Sequence, residues 1–309
     1  MHELTIIVVT WNSAEDIVRC LASVTAEGKG VSVRMIVIDN ASTDGTDELV
    51  KLRFPGIELI RNPRNVGFAS ATNQGLRLCT TPYALLLNPD TEVLAGSLRA
   101  FLEFMESTPD AWVAGAALVN PDGTPQVYGV RFPSVWNMLC ESFFLDRAFP
   151  QSRIFGRHKE LYENQTRPRR VDFVQGAALC VRMSGVHEVG YLDERFFMYF
   201  EEADWCFRMK QAGGSVYVCP PARVIHHGGA PGHYDERRLV HYHRSLAGFT
   251  RKHYAVHRQI LIGLVVFIRS SVRIFTWLAV WTTRPGLRAA ARSSISGYLK
   301  VITKAGRSV

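Results

Sequence analysis

Four short apolar runs, residues 4–10, 33–39, 57–60 and 83–88, alternate with segments of helical periodicity over the first ninety positions. The first run, LTIIVVT, is continuous and rich in β-branched residues, the pattern of a strand buried on both faces. Ser13 is placed to cap a helix running to about Thr25, and further helices are expected at 44–54 and 68–78. Strands that alternate with helices build a layered α/β fold around a mainly parallel sheet. A chain of 309 residues with 47% apolar side chains can cover both faces of such a sheet.

Each strand runs into polar residues: Thr10-Trp11-Asn12, Asp39-Asn40, Arg61-Asn62 and Asn88-Pro89-Asp90. Open parallel sheets bind ligands at the carboxyl ends of their strands, so four separate stretches are expected to meet in one crevice. The competing explanation is that Asp and Asn simply begin loops. No G-x-G-x-x-G follows the first strand and no G-x-x-x-x-G-K-[ST] occurs, which argues against a dinucleotide dehydrogenase and a P-loop NTPase. Asn65-Val66-Gly67-Phe68-Ala69 opens the third helix instead. Its free N–H groups suit either an approaching nucleotide or a plain cap.

Farther along, residues 172–181 read as one buried strand and 216–218 as a short one ended by Pro220-Pro221. Between them FFMYF is followed at once by Glu201, Glu202 and Asp204. On a helix over 201–213, Glu201, Asp204 and Arg208 fall within about 60° of each other. Asp204 and Arg208 then form an i, i+4 ion pair, while Glu202 has no such partner. Acids also favour a first helical turn for its dipole alone. Seven of the ten histidines lie between 226 and 257, with no zinc-site spacing. His227, His233, His241 and His243 read as loop or acceptor-side residues. The six cysteines form no C-x-x-C pair and read as reduced core residues of a cytosolic protein. The apolar run begins too close to the start for a signal peptide, so the Asn164 sequon has no expected use.

The motifs VVTWN, VIDNASTDGT, NVGFASATNQG, LLLNPDTEV, GYLDERFFMYFEEADWCFR and VIHHGG stand in order over residues 4–230. Together they resemble the inverting glycosyltransferases of family 2, which have the Rossmann-like GT-A fold, and in particular their bacterial rhamnosyltransferase-like branch. The resemblance implies that Asp39 accepts hydrogen bonds from the base of a nucleotide sugar, with Thr10, Asn12, Asn65 and Gly67 beside it. Asn88-Pro89-Asp90 replaces the family's D-x-D. Asn88 would lie near the ribose, and Asp90 with His226 would hold Mn²⁺ or Mg²⁺ on the diphosphate. Glu202 aligns with the second acid of the family's E-D pair, a Glu for the usual Asp, and would be the base. Gly176, Asp193, Glu201 and Asp204 are expected on the sugar and acceptor side. The implied donor is dTDP-rhamnose, with UDP-galactofuranose or another UDP-hexose as the alternative. The implied acceptor is a lipid-linked or cell-envelope glycan. Residues 1–230 would form the catalytic domain, with a nucleotide half over 1–92 and an acceptor half over 93–230. Two other readings remain open: a catalytically weak binding protein of the same fold, and a sugar-phosphate nucleotidyltransferase. The latter usually has a Gly-rich basic loop where TWNSAED stands.

Charge sets the C-terminal region, 231–309, apart. Eleven of the 36 lysines and arginines, and none of the 28 acids, fall within 251–309. Residues 260–268 and 274–281 are apolar, broken by Arg269 and Arg273, with Trp277 and Trp281 near the end. This pattern reads as an interfacial helix on an anionic membrane surface, peripheral to the cytoplasmic face. A spanning helix is allowed by length, but two mid-helix arginines would cost about 5 kcal/mol. A helical packing or dimerisation element, giving a homo-oligomer, is the alternative. A nucleic-acid partner is not expected for so apolar a stretch.

Overall fold

The computed structural model describes residues 3–27, 30–127, 129–149, 152, 154–155, 167–229 and 236–305; the Asn164 sequon and His233 lie outside them. The elements in chain order are β1 (Leu4–Thr10), α1 (Ile17–Glu27), β2 (Val33–Asp39), α2 (Thr46–Arg53), β3 (Glu58–Arg61), α3 (Phe68–Arg77), β4 (Tyr83–Leu87) and β5 (Thr91–Val93). Then follow α4 (Ser97–Ser107), β6 (Ala111–Val119), β7 (Gly129–Val130), α5 (Val135–Ser142), α6 (Leu145–Ala148), β8 (Arg169–Arg170), β9 (Phe173–Val174) and β10 (Ala178–Arg182). The chain continues through α7 (Met183–Val189), α8 (Glu201–Gln211), β11 (Ser215–His226), α9 (Glu236–His253), α10 (Val256–Thr283) and α11 (Arg288–Ala305). They fall into two compact units: Met1–Phe132 with Lys159–Arg195 and Glu201–Ala230, and Pro133–His158 with Phe196–Phe200 and Pro231–Val309.

The first unit is built on one sheet of order β3-β2-β1-β4-β10-β6-β11-β5, with β8 also on β11. β3, β2, β1 and β4 run parallel, and every residue of β1 and of β4 is buried. Each fully buried Ile, Leu or Val there contributes about 1.5–3 kcal/mol, which is why the continuous apolar run forms a central strand. Beyond β4 the sheet is mixed: β10 lies antiparallel between β4 and β6, and β11 runs parallel to β6. The register places Thr10 beside Asp39 and Asp39 beside Arg61, so three strand ends stand in one row.

Three local expectations are corrected. Helix α1 starts at Ile17, because the Ser13 carbonyl accepts from the N–H groups of Asp16 and Ile17 in a turn while its hydroxyl donates to the Trp11 carbonyl. The stretch 172–181 is two strands, β9 and β10, parted at Gln175-Gly176-Ala177. Strand β11 runs straight through Pro220-Pro221, because its register on β6 jumps between Cys219 and Arg223. Proline lacks a ladder donor, and a bulge is where a strand tolerates that loss.

The second unit is helical. Its aromatic run packs on α9, with Phe200 against Tyr242 and Phe249, Phe197 stacked on His241, and the Ser245 hydroxyl donating to the Met198 carbonyl. His241 and His243 are therefore helix residues rather than loop residues. His243 is buried, binds the Leu239 carbonyl through Nδ1, and is pushed down to about 4 by burial. On α10, Arg269 pairs with Glu141 at 3.0 Å, and Arg273 lies 4.1 Å from the centre of the Phe144 ring.

Candidate active site

The strand ends on the nucleotide side are held by a polar network that leaves two groups open. Asn12 takes a left-handed backbone (φ 50) and its Oδ1 accepts from Thr43 N–H at 2.8 Å. Asp39 is completely buried; its Oδ2 accepts from Ser42 N–H at 3.1 Å, and Arg61 stands 3.8 Å away. The Oδ1 of Asp39 and the hydroxyl of Thr10 are buried without a partner. A buried acceptor left unmade costs roughly 1–3 kcal/mol, so these atoms mark where a ligand would bond. Asn65 and Gly67 are organised by Asn40: its Oδ1 accepts from Asn62 Nδ2 and Val66 N–H, and its Nδ2 donates to Asn65 Oδ1 at 2.9 Å and the Gly67 carbonyl at 3.3 Å. The loop that opens α3 is thus fixed before any ligand arrives.

Asn88 to Asp90 cross from β4 to β5. The Asn88 N–H donates to the Ala177 carbonyl at 2.9 Å, and its carbonyl accepts from the Thr91 hydroxyl at 2.6 Å. The antiparallel register of β5 on β11 sets Thr91 opposite His226, which brings His226 Nε2 to 3.5 Å from Asp90 Oδ1. Asp90 Oδ1 is buried without a hydrogen-bond partner. Gly228 is required beside it, since a Cβ there would come within 2.0 Å of Asp90 Oδ2. One carboxylate oxygen and one imidazole nitrogen suit Mn²⁺ or Mg²⁺. No cluster of three or more ligating side chains occurs among the described residues, so the remaining positions would fall to diphosphate oxygens and water. The residues present fit such an ion.

The third component is the start of α8. Tyr199 and Phe200 just before it both have φ above 60°, a conformation that costs a bulky residue about 1–2 kcal/mol each. Glu201 is buried and Glu202 half-buried, and each keeps an Oε2 without a partner. Burial raises both: Glu202 to about 7, and Glu201 well above the usual range with the charge of Glu202 as a further cause. Gly176 faces this pair, a Cβ there lying 4.0 Å from that of Glu202. Since Ala177 binds Asn88, Glu202 stands close to the β4 end.

The other acids named from sequence are held in ion pairs. Asp204 is completely buried in an ion pair with Arg208 at 2.9 Å, and Arg208 also donates to the carbonyls of Val189 and Tyr191. Asp193 binds Arg195 through both oxygens. Its neighbour Glu194, which the sequence did not single out, accepts from Ser70, Asn73 and Arg77 and ties the 190–195 loop to α3. Gln126 also escaped the sequence reading, whereas Asn40 and Arg61 stood among the polar strand ends and Gly228 in the VIHHGG motif. Only the turn Asn120-Pro121-Asp122-Gly123 near Gln126 had a local signal. His227 sits in a short 3₁₀ turn and bonds Glu92 at 2.6 Å.

The family described as Glycosyl transferase family 2 matches residues 5–174, a span that stops short of Glu202 and His226. The N-acetylglucosaminyl-diphospho-decaprenol L-rhamnosyltransferase of Mycobacterium tuberculosis is 30% identical over 257 residues, covering 78% of this chain and 82% of that protein. Rhamnosyltransferase WbbL of Escherichia coli is 27% identical over 155 residues, 50% of this chain and 54% of its own. Among solved structures, a mannosyltransferase of Pyrobaculum calidifontis in complex with GDP-Man and Mn²⁺ superposes with a TM-score of 0.58 at 14% identity, over 97% of this chain and 87% of that one. GalNAc-T7 with UDP, GalNAc and Mn²⁺ gives 0.57 at 16% identity, over 80% of this chain and 48% of that one. At such identities the structural likeness shows the fold alone.

Proposed function

Because this chain belongs to glycosyl transferase family 2, a glycosyltransferase family of GT-A fold, we propose that it moves rhamnose from dTDP-rhamnose to a lipid-linked or cell-envelope glycan with inversion. The observation that carries this reading is the open Oε2 of Glu202 at the β4 end, in the same unit as the Asp90–His226 pair. The donor sugar is chosen from the rhamnosyltransferases among the relatives; a UDP-hexose is the alternative.

In this reading the open oxygen of Asp39 accepts the imide N–H of a thymine or uracil ring, and Thr10 bonds the same nucleoside. Glu202 takes the proton of the acceptor hydroxyl as its oxygen bonds to the anomeric carbon. The bond from that carbon to the diphosphate breaks on the opposite side, and the nucleoside diphosphate leaves. A pKa near 7 keeps Glu202 basic enough to accept the proton and largely ionised at slightly alkaline pH. A divalent ion held by Asp90 and His226 would supply charge neutralisation for the leaving diphosphate. Gly176 keeps the space beside Glu202 open to the acceptor.

The reading includes a membrane surface on the cytoplasmic side. Ile260, Leu264, Phe267, Phe275, Leu278 and Trp281 are exposed on α10 and fall within about 120° of one another. Arg269 and Arg273 lie on the opposite side, occupied by Glu141 and Phe144. The exposed stripe suits insertion among lipid chains, and the basic tail suits anionic headgroups.

Calorimetric titration with dTDP-rhamnose, UDP-galactose and UDP-galactofuranose, each with and without Mn²⁺, tests the donor. Metal-dependent binding of dTDP-rhamnose alone is expected. Preference for a UDP-sugar would reassign the donor, and binding of none would withdraw the transferase reading of the crevice.

A further inference from the structure

Beside Asp90 and His226 lies a side chain that the mechanism above leaves unused. Gln126 ends the turn that follows β6, where its N–H donates to the Leu118 carbonyl and Asn120 N–H donates to the Thr124 carbonyl. It is nine-tenths buried. Its Nε2 lies 2.6 Å from the His226 carbonyl oxygen and 2.8 Å from Asn120 Oδ1, and its Oε1 lies 3.0 Å from His226 Nδ1.

The direction of every bond in this chain follows from its far end. The Asp122 carboxyl is held below its usual range by the Thr124 hydroxyl, so as a carboxylate it only accepts. The Thr124 proton therefore points to Asp122 Oδ1 at 2.5 Å, and Thr124 Oγ1 is left to accept from Asn120 at 2.9 Å. Asn120 must present its NH₂ there, which turns its Oδ1 towards Gln126. Gln126 must answer with its own NH₂, whose second hydrogen meets the His226 carbonyl. Two acceptors on one nitrogen settle an amide that could otherwise be flipped. Gln126 Oε1 then faces His226 Nδ1, and that bond exists only if Nδ1 carries the proton. The neutral ring is left with its lone pair on Nε2, 3.5 Å from the open Oδ1 of Asp90. With the other tautomer, Nε2–H would bond Asp90 and close the gap against any cation.

We propose that Gln126 is a positioning residue: it locks His226 as the Nδ1–H tautomer, so that the Nε2 lone pair and Asp90 Oδ1 face one cation. The tautomer stands on the hydrogen-bond chain alone, while the cation rests on the proposed function. Outer hydrogen bonds of this kind are worth about 10–100-fold in metal affinity.

The experiment is long-range ¹H–¹⁵N NMR of histidine-labelled full-length protein, without metal and above the imidazole titration range, with His226 assigned by its loss in His226→Gln. Mn²⁺ affinity is measured by EPR in the presence of dTDP or UDP. An unprotonated Nε2 is expected in the unmodified protein. Gln126→Leu should mix the tautomers and weaken Mn²⁺ binding about 10–100-fold, whereas Gln126→Glu, which keeps an acceptor for Nδ1–H, should preserve the tautomer. A protonated Nε2 in the unmodified protein overturns the proposal, as does Gln126→Leu with an unchanged tautomer and unchanged Mn²⁺ affinity. If the unmodified protein binds no Mn²⁺ with either nucleotide, the cation reading fails, and the tautomer spectrum still decides the role of Gln126.

Discussion

At the scale of single residues, two neighbouring carboxyl groups differ in role. Burial raises both pKa values, Glu202 to about 7, and the charge of Glu202 adds to the burial that pushes Glu201 well above the usual carboxyl range. Glu202→Gln should keep donor binding and abolish transfer, read by calorimetry and a product assay. Glu201→Gln leaves Glu202 in place, so the pH profile of kcat/KM should still rise through about 7. The stability consequence has a definite sign. Both groups hold protons in the folded chain at pH values where the unfolded chain has lost them. Their contribution is therefore complete below the ordinary glutamate pKa and is lost as pH rises through about 7 for Glu202 and through the raised pKa of Glu201. Glu201→Gln should stabilise the protein at pH 8, measured by urea unfolding, and should change little at pH 4. Gly228→Ala forces the Asp90 carboxylate aside, since its Cβ would fall within 2.0 Å of Oδ2. The expected result is loss of Mn²⁺-dependent donor binding with the unfolding midpoint nearly unchanged.

At the scale of elements, α8 positions its first-turn acids because its later turns are fastened. Arg208 spreads one guanidinium over Asp204 and the carbonyls of Val189 and Tyr191, and Trp205 Nε1–H donates to the Gly190 carbonyl. Lysine presents a point charge in place of this planar fork. Arg208→Lys should cost about 2–4 kcal/mol in urea unfolding, because a completely buried carboxylate and two carbonyls lose their shared donor. The Asp204–Arg208 pair was legible from its i, i+4 spacing. Its third and fourth contacts were not, since residues 189 and 191 come near only through the fold. The same limit explains the proline pair: Pro220-Pro221 reads locally as a strand end, and only pairing with β6 reveals a bulge within β11.

At the scale of the molecule, the proposed membrane contact rests on the C-terminal helices. A spanning α10 would carry Arg269, Glu141 and the helices packed on it into hydrocarbon. An in-plane α10 leaves those groups on the protein side and gives only its exposed stripe to lipid. Phe267→Glu combined with Leu278→Glu should reduce binding to phosphatidylglycerol vesicles by about 10²–10⁴-fold in a flotation assay, since each side chain forfeits about 1.5–3 kcal/mol of burial. A tag after Val309 should remain protease-accessible on the same side as the catalytic unit; protection of the tag alone would establish a spanning helix.

The sequence by itself determined the α/β layering, the burial of β1 and β4, and the acidic and amide-rich strand ends, because strand period, helix period and turn chemistry are local properties. Thr10, Asp39, Asn88, Asp90, Glu202 and His226 were all named from motifs, and motifs too are local. Only the tertiary structure decided which partners these residues have. The register of β5 on β11 brings His226 to Asp90, the break between β9 and β10 sets Gly176 against Glu202, and a distant turn places Gln126 on the far nitrogen of His226. Such partnerships depend on backbone segments scores of residues apart, and no window along the chain contains both halves of them.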